Sequence, residues 1–380
     1  MAFAGIAGHE TAKQVLRRAI GTDRVSHAYL FEGPAHVGKT LTAVAFAKAL
    51  MCATPPEPGE GCGECAICRA VERGNHADFM VLFPTSRVET TDEEGQKAVA
   101  EIEGSEIRTD AIGRLIDRAH AKAVSARHKV LLVSDAQAMN PVAANHLLKT
   151  LEEPPPGTVL ILTATSVAAL LPTIVSRCQL VRFGPVPLAE THAALARLFP
   201  DEDPALVRSV AALSGGRPGW ARRLLEHPGA LDVRARVLAL AERLPADPPV
   251  ACMKAAEAFI EAAEAWWLAT SDSDSAAKLL KANRDRILRT QIGELLDILL
   301  TWFRDLAIAG EAGAEGLLIN ADRARELREA AAAAPDCAAA VAAVAETRNA
   351  LRGNANLRLA VEVMLVRLRQ ALTVGALGPT

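Results

Sequence analysis

Apolar positions follow two patterns along the chain. In the first half they form short unbroken runs of strand length: Tyr29-Leu30-Phe31, residues 79–83 (FMVLF), 129–135 (KVLLVSD) and 159–162 (VLIL). Unbroken runs predict strands buried on both faces. Residues 41–50 (LTAVAFAKAL) and 145–156 (NHLLKTLEEPPP) predict helices, the second halted by three prolines. Gly184-Pro185-Val186-Pro187 breaks this pattern, short helical segments follow, and residues 245–249 (PADPP) form the next break. Beyond it the spacing is helical: Ile292, Leu295, Leu296, Leu299, Phe303 and Leu306 recur three and four apart, as do Leu357, Val361, Met364, Leu365, Leu368 and Leu372. Adjacent Trp266 and Trp267 cannot share one helix face, which makes one of them a candidate contact residue. Three parts are predicted: an α/β domain over 1–185, a small helical domain over 186–245 and an all-helical domain over 246–380.

Composition narrows the function classes. With 380 residues and 50% hydrophobic content, the chain has material for two or three cores. A net charge of −3, a single tyrosine and no basic run interleaved with aromatics leave no electrostatic footprint of a nucleic-acid binder. The first residues (MAFAGIAGHETAKQ) lack an apolar signal core, and no uncharged apolar stretch reaches the length of about 18 residues that a membrane span needs; a cytoplasmic protein is expected. Residues 85–106 stand apart. Seven acidic and two basic residues with few apolar ones predict a solvated or disordered acidic loop there.

Candidate chemistry begins at residues 33–40 (GPAHVGKT), which fit G-x-x-x-x-G-K-[ST]. In that motif glycines let backbone N–H groups approach phosphate oxygens, Lys39 reaches the β- and γ-phosphates, and Thr40 offers a hydroxyl to Mg²⁺. A strand before it and a helix after it favour a phosphate loop over an ordinary glycine turn, with Gly33, Gly38, Lys39 and Thr40 as nucleotide-binding residues. At the tip of the run 129–135, Asp135 is the candidate metal-coordinating acid, the alternative being a solvated strand-end carboxylate. The next residue is Ala136, where an active hydrolase needs a water-orienting carboxylate. ATP or ADP with Mg²⁺ is therefore expected to be held rather than hydrolysed.

Four of the seven cysteines cluster: Cys52, Cys62, Cys65 and Cys68. Two overlapping C-x₂-C units plus one upstream thiolate suit tetrahedral Zn²⁺ with no open position, hence a structural zinc module over residues 50–70; unpaired buried thiols are the alternative. An iron–sulfur run would want a further cysteine followed by proline shortly after Cys68, and Arg69, Ala70 and Val71 do not lead to one. Disulfides do not suit a cytoplasmic chain. Residues 171–178 (LPTIVSRC) place Arg177 after a short helical turn, by itself no more than a surface arginine.

Together, His27-Ala28-Tyr29-Leu30-Phe31 ahead of the loop, the four-cysteine insert after its helix, residues 145–155 in the form N-x-L-L-K-T-L-E-E-P-P, and Ser176-Arg177-Cys178 resemble the clamp-loader branch of the AAA+ family. These motifs lie within residues 1–185, and a weaker match continues through 213–224 (LSGGRPGWARRL) and 354–372. The resemblance implies a RecA-like P-loop domain carrying the zinc module, a helical lid over 186–245 and a collar that holds subunits in a ring. It implies that Ile6 and Gly8 flank the adenine and that Thr165 stands at the polar sensor position. It gives Arg177 a catalytic role in trans, at the γ-phosphate of ATP held by a neighbouring motor subunit. Its implied partners are gamma/tau motor subunits and the clamp-opening delta subunit in a hetero-pentamer. That complex belongs to the DNA polymerase III holoenzyme, a DNA-directed DNA polymerase (nucleotidyltransferase), and through it this chain would meet the sliding clamp and primed DNA.

Motor members of the family carry Asp-Glu at the strand tip and a sensing arginine in a G-S-x-R pattern. This chain has Asp135-Ala136 and Gly216-Arg217-Pro218-Gly219 instead, and both losses point to a non-hydrolysing stator subunit with no independent ATPase activity. The phosphate loop departs the other way, being intact where such subunits often have lost it. Nucleotide binding thus stays open. The alternative readings are an active motor ATPase and a nucleotide-sensing AAA+ regulator outside replication.

Overall fold

The apolar runs of the first half become strands. In chain order the strands are β1 (Ala28–Glu32), β2 (Phe79–Leu82), β3 (Thr85–Thr91), β4 (Lys97–Glu103), β5 (Lys129–Val133), β6 (Thr158–Ala164) and β7 (Gln179–Arg182). They are seen in a computed structural model that describes residues 2–91, 97–103, 106–271, 276–311, 313–333, 335–353 and 355–373. Five strands form one parallel sheet in the order β2-β5-β6-β1-β7. Every residue of β5 and β6 is buried, and the two-residue period of a strand explains why. Tyr29, Phe31, Val130, Leu132, Val159 and Ile161 face one apolar cluster; Leu30, Leu131, Val133, Leu160 and Leu162 face another. Helices α1 (Glu10–Gly21), α2 (Lys39–Met51) and α3 (Ala66–Glu72) supply the first cluster with Leu16, Phe46 and Val71. Helices α4 (Thr109–His120) and α5 (Pro141–Glu152) supply the second with Ile112, Leu115, Leu147 and Leu151.

Topology then places the candidate site. The connection out of β1 runs to the edge strand β2, whereas the connection out of β6 passes β1 to reach β7. Strands that diverge in this way open a crevice at their carboxyl ends, and residues 33–40 begin there. Two buried charges brace the sheet. Lys129 Nζ donates to the carbonyls of Arg118 (2.9 Å) and Ala119 (3.1 Å), and also to that of Ala121, closing the C-terminus of α4. Asp78 accepts the N–H groups of Val124 (2.8 Å), Ser125 (2.9 Å) and Ala126 (3.0 Å).

The described chain groups into two compact units. The first takes in residues up to Thr85, Glu106–Val207 and Gly215–Trp220, and also includes α6 (Pro172–Val175) and α7 (Leu188–Leu198). Helices α8 (Pro204–Leu213) and α9 (Pro218–Glu226) straddle the division, and the second unit is built from α10 (Gly229–Arg243), α11 (Ala251–Thr270), α12 (Ala276–Ile308), α13 (Ala324–Ala331), α14 (Cys337–Arg352) and α15 (Leu357–Thr373). The apolar stripes read from the sequence on α12 and α15 are buried throughout.

Two expectations change. Trp266 and Trp267 are both buried, at 0% and 7% exposure, because α11 packs against α10, α12 and α15 and is covered on more than one side. Trp267 Nε1 donates to the Ala276 carbonyl (3.1 Å). The acidic segment 85–106 is not a plain loop either, since β3 and β4 pair as a two-stranded sheet. Its sequence carries β-branched residues that favour strands, Val88 and Thr90 in one and Val99 and Ile102 in the other. Residues 92–96 and 104–105 of that segment lie outside the described residues.

Candidate functional site

The phosphate loop is folded by two glycines with different duties. Gly33 N–H donates to the Ala164 carbonyl (3.1 Å), and a Cβ there would lie 2.1 Å from the carbonyl oxygen of Phe183. Only glycine fits between those strands. Gly38 precedes α2 at φ 107°, a left-handed value that a side chain strains, yet a Cβ there would meet nothing within 4 Å. That open space lies over the N-terminus of α2, where backbone N–H groups and the helix dipole favour phosphate. Lys39, 5% exposed, donates to the carbonyls of Gly33 (2.8 Å) and Pro34 (2.7 Å). Burial lowers its ammonium pKa from the usual lysine value, against the opposing charge of Asp135.

Thr40 meets Ser134. Their hydroxyl oxygens are 3.1 Å apart, and Ser134 follows directly on β5. Asp135, one residue on, turns left-handed at φ 52°; its N–H donates to Thr163 Oγ1 (3.0 Å) and its carboxylate accepts from Gln137 Nε2 (3.2 Å). Ala136 is 1% exposed and packs in the second apolar cluster. A carboxylate at 136 would be buried among apolar side chains, at a high desolvation cost. The expectation that Ala136 marks a missing water-orienting acid is therefore corrected: the uncharged residue that bears on the site is Ser134, beside the Thr40 hydroxyl. Thr165 is exposed, and its N–H donates to Gln137 Oε1 (3.3 Å). The hydroxyl that braces the strand tip belongs to Thr163, two residues earlier. Ser134, Thr163 and Gln137 were not singled out from the sequence, and the only signal there was a hydroxyl or amide near each strand end.

The N-terminal segment approaches the loop from the other side. Ile6 is buried and its carbonyl accepts from Lys13 Nζ (3.0 Å), while Gly8 N–H donates to Glu190 Oε2 (2.9 Å). His9 Nε2 lies 2.8 Å from the Val37 carbonyl, and its ring packs edge-on against Phe183 at 4.8 Å. Gly219, at the start of α9, donates its N–H to the His36 carbonyl (2.9 Å), and a Cβ at 219 would come within 3.1 Å of that oxygen. So the position assigned to a sensing arginine rests on the phosphate loop itself. Arg177 follows α6 with its side chain 34% exposed. Its Nη1 donates to Thr173 O (2.9 Å) and Ser176 Oγ (3.4 Å), and its Nη2 to Glu152 Oε1 (2.7 Å).

The four clustered cysteines converge. All their sulfurs lie within 4.8 Å of one another, with Cys52 and Cys62 at 3.5 Å and Cys62 and Cys68 at 3.9 Å. Four thiolates at about 2.3 Å from a tetrahedral zinc stand about 3.8 Å apart, so the cluster has the right size. Backbone N–H groups support it: Cys62 donates to Cys52 Sγ (3.3 Å), Cys65 to Cys62 Sγ (3.3 Å) and Cys68 to Cys65 Sγ (3.4 Å). The N–H groups of Cys65 and Glu64 pull the Cys62 thiol down to about 6. The donor set fits a closed structural zinc site.

Residues 8–187 match the profile of a family described as "DNA polymerase III, delta subunit". The Pseudomonas aeruginosa DNA polymerase III subunit delta' is 39% identical over 219 residues, 57% of this chain and 61% of that protein. Its Bacillus subtilis counterpart is 27% identical over 361 residues, 94% of this chain and 95% of its own length. The chain is similar to DNA polymerase III delta-prime proteins over most of its length. Delta-prime proteins have relatives that also match: the tau/gamma subunit of Haemophilus influenzae is 35% identical, over 56% of this chain but 29% of its own length. Against the P. aeruginosa delta-prime protein, the matched stretch spans less than two thirds of the relative. Among solved structures, a DNA polymerase III gamma subunit-related protein of Thermotoga maritima superposes with a TM-score of 0.41 at 18% identity, covering 96% of this chain and 99% of its own. Among the described residues, no helix is long and apolar enough to cross a membrane.

Proposed function

We propose that the chain is a non-hydrolysing stator subunit of the clamp-loader complex, which supports ATP-dependent loading of the sliding clamp onto primed DNA in the cytoplasm. The observation that carries this reading is the Thr40–Ser134 pair. A phosphate loop with room over Gly38 can cradle ATP or ADP through Gly33, Gly38, Lys39 and Thr40, with Ile6 and Gly8 beside the adenine. Mg²⁺, a hard cation that favours carboxylate and phosphate oxygens, would find two neutral hydroxyls next to the helix start. Asp135 is drawn toward Gln137 and Thr163, and Thr165 stands beyond them. Nucleotide held here would be a fixture of the subunit.

Chemistry is contributed elsewhere. Arg177 would place its guanidinium against the γ-phosphate of ATP on an adjoining gamma/tau subunit, a role worth about 10³ to 10⁵ in rate in comparable systems. Zn²⁺ on Cys52, Cys62, Cys65 and Cys68 would supply folding energy and no catalysis. The delta subunit would complete a hetero-pentamer, with the helices beyond residue 245 as the collar, residues 186–245 as the lid and the α/β domain ahead of them. Near-full-length likeness to a delta-prime protein supports this choice over a motor subunit. Arg177→Ala in a reconstituted complex should cut ATP turnover while assembly persists, and the purified chain alone should show none. Motor-like turnover by the chain alone would overturn the stator reading in favour of an active ATPase.

A further inference from the structure

We infer that Glu152 is the positioning residue for Arg177, aiming the guanidinium before any partner arrives; the inference rests on the trans role proposed for that arginine. Glu152 is the last residue of α5, with Glu153 as its C-cap and three prolines behind them. Carboxylates at a helix C-terminus face its negative pole, where cations are favoured. Helix formation therefore gives no reason for an acid at 152. The fold does, because Glu152 Oε1 lies 2.7 Å from Arg177 Nη2.

The contacts around the arginine fix its direction. Nη1 is held by the Thr173 carbonyl and Ser176 Oγ while Nη2 is held by Glu152, so both ends of the planar fork are tied to different elements. Glu152 is itself well anchored. Leu147 and Leu151, on the same helix, lie in the apolar cluster beneath the sheet, and the prolines stop α5 directly after the carboxylate. With side chains 34% and 50% exposed, the pair adds little to stability. Its physical effect is orientation: without it a long, flexible cation would have to be ordered at each encounter with the transferring phosphate.

The test uses the reconstituted complex, with ATP turnover, the KM for ATP, assembly and the thermal midpoint of the free chain measured for Arg177→Ala, Glu152→Ala and Glu152→Gln. Glu152→Ala should lower kcat about tenfold, with KM, assembly and midpoint unchanged. Glu152→Gln, which keeps an acceptor but no charge, should lie between it and the wild type. If Arg177→Ala slows turnover while both Glu152 variants match the wild type, the inference fails and the stator reading stands. Turnover unchanged by Arg177→Ala would remove the trans role, and the inference with it. Faster turnover in Glu152→Ala would mean that the pair restrains the arginine, which also overturns the inference. Should Glu152→Ala lower the midpoint, Glu152→Gln decides: a fall in kcat at wild-type midpoint supports positioning, and no fall sinks it.

Discussion

The phosphate loop and the Ser-Arg-Cys turn lie in the same α/β unit, yet they hold their cations in opposite ways. Lys39 is enclosed and donates to carbonyls of its own loop, while Thr40 is matched by Ser134. Arg177 stands partly in solvent, tied to Glu152 and Thr173 by contacts that leave the guanidinium open to a phosphate group. A cation enclosed by its own backbone belongs to the fold. One held at the surface by a side chain is available to something else. Asp78 falls with Lys39: it is a buried charge held by three backbone N–H groups.

If this contrast is right, changes in the first class register as stability of this chain. Gly33→Ala should have the largest effect, about 3 kcal/mol or more, because a Cβ driven against the Phe183 carbonyl forces two strands apart; urea denaturation reads it, and a loss within the roughly ±0.5 kcal/mol scatter of surface changes would show the loop to be loose. Asp78→Ala comes next, at about 2 kcal/mol near neutral pH. Burial alone would raise the Asp78 pKa, but the N–H groups of Ser125, Val124 and Ala126, with His76, outweigh it and hold the carboxyl below its ordinary value. Its stabilisation is thus complete above the unfolded value of about 3.9 and is lost as pH falls through the lower folded value. Wild type and Asp78→Ala should converge in acid; a gap that persists there would mean that the charge is not what matters. Ser134→Asp should have the smallest effect, returning a carboxylate to the Thr40 hydroxyl. ADP should then bind about tenfold tighter with Mg²⁺ than with EDTA, about 1.4 kcal/mol, while the wild type shows no such difference. Equal Mg²⁺ dependence in both would place a working metal site in this cradle and erase the contrast.

The sequence carried the sheet well, because a strand covered on both faces must be apolar at successive positions, as 130–133 and 159–162 are. It carried the phosphate loop and the cysteine cluster through spacing alone. It did not resolve which residue at the end of β5 meets Thr40. Ser134 and Asp135 are neighbours, a strand end turns successive side chains to opposite sides, and the left-handed turn at Asp135 depends on Thr163, which is 28 residues away. The burial of both tryptophans depended on the helices that surround α11, which one helix's periodicity cannot reveal. The Glu152–Arg177 pair likewise spans 25 residues and two elements. What was missed is in each case a tertiary contact between locally unremarked polar groups.

The most direct test of the division between a silent cradle and an exported arginine is ATP turnover by a complex reconstituted with Lys39→Ala or Arg177→Ala in this chain alone. Lys39→Ala should leave turnover within about twofold of wild type, whereas Arg177→Ala should lower it about 10³-fold at the site the arginine faces. The reverse order, with Lys39→Ala abolishing turnover and Arg177→Ala sparing it, would contradict the account and make this chain's own loop a working ATPase site.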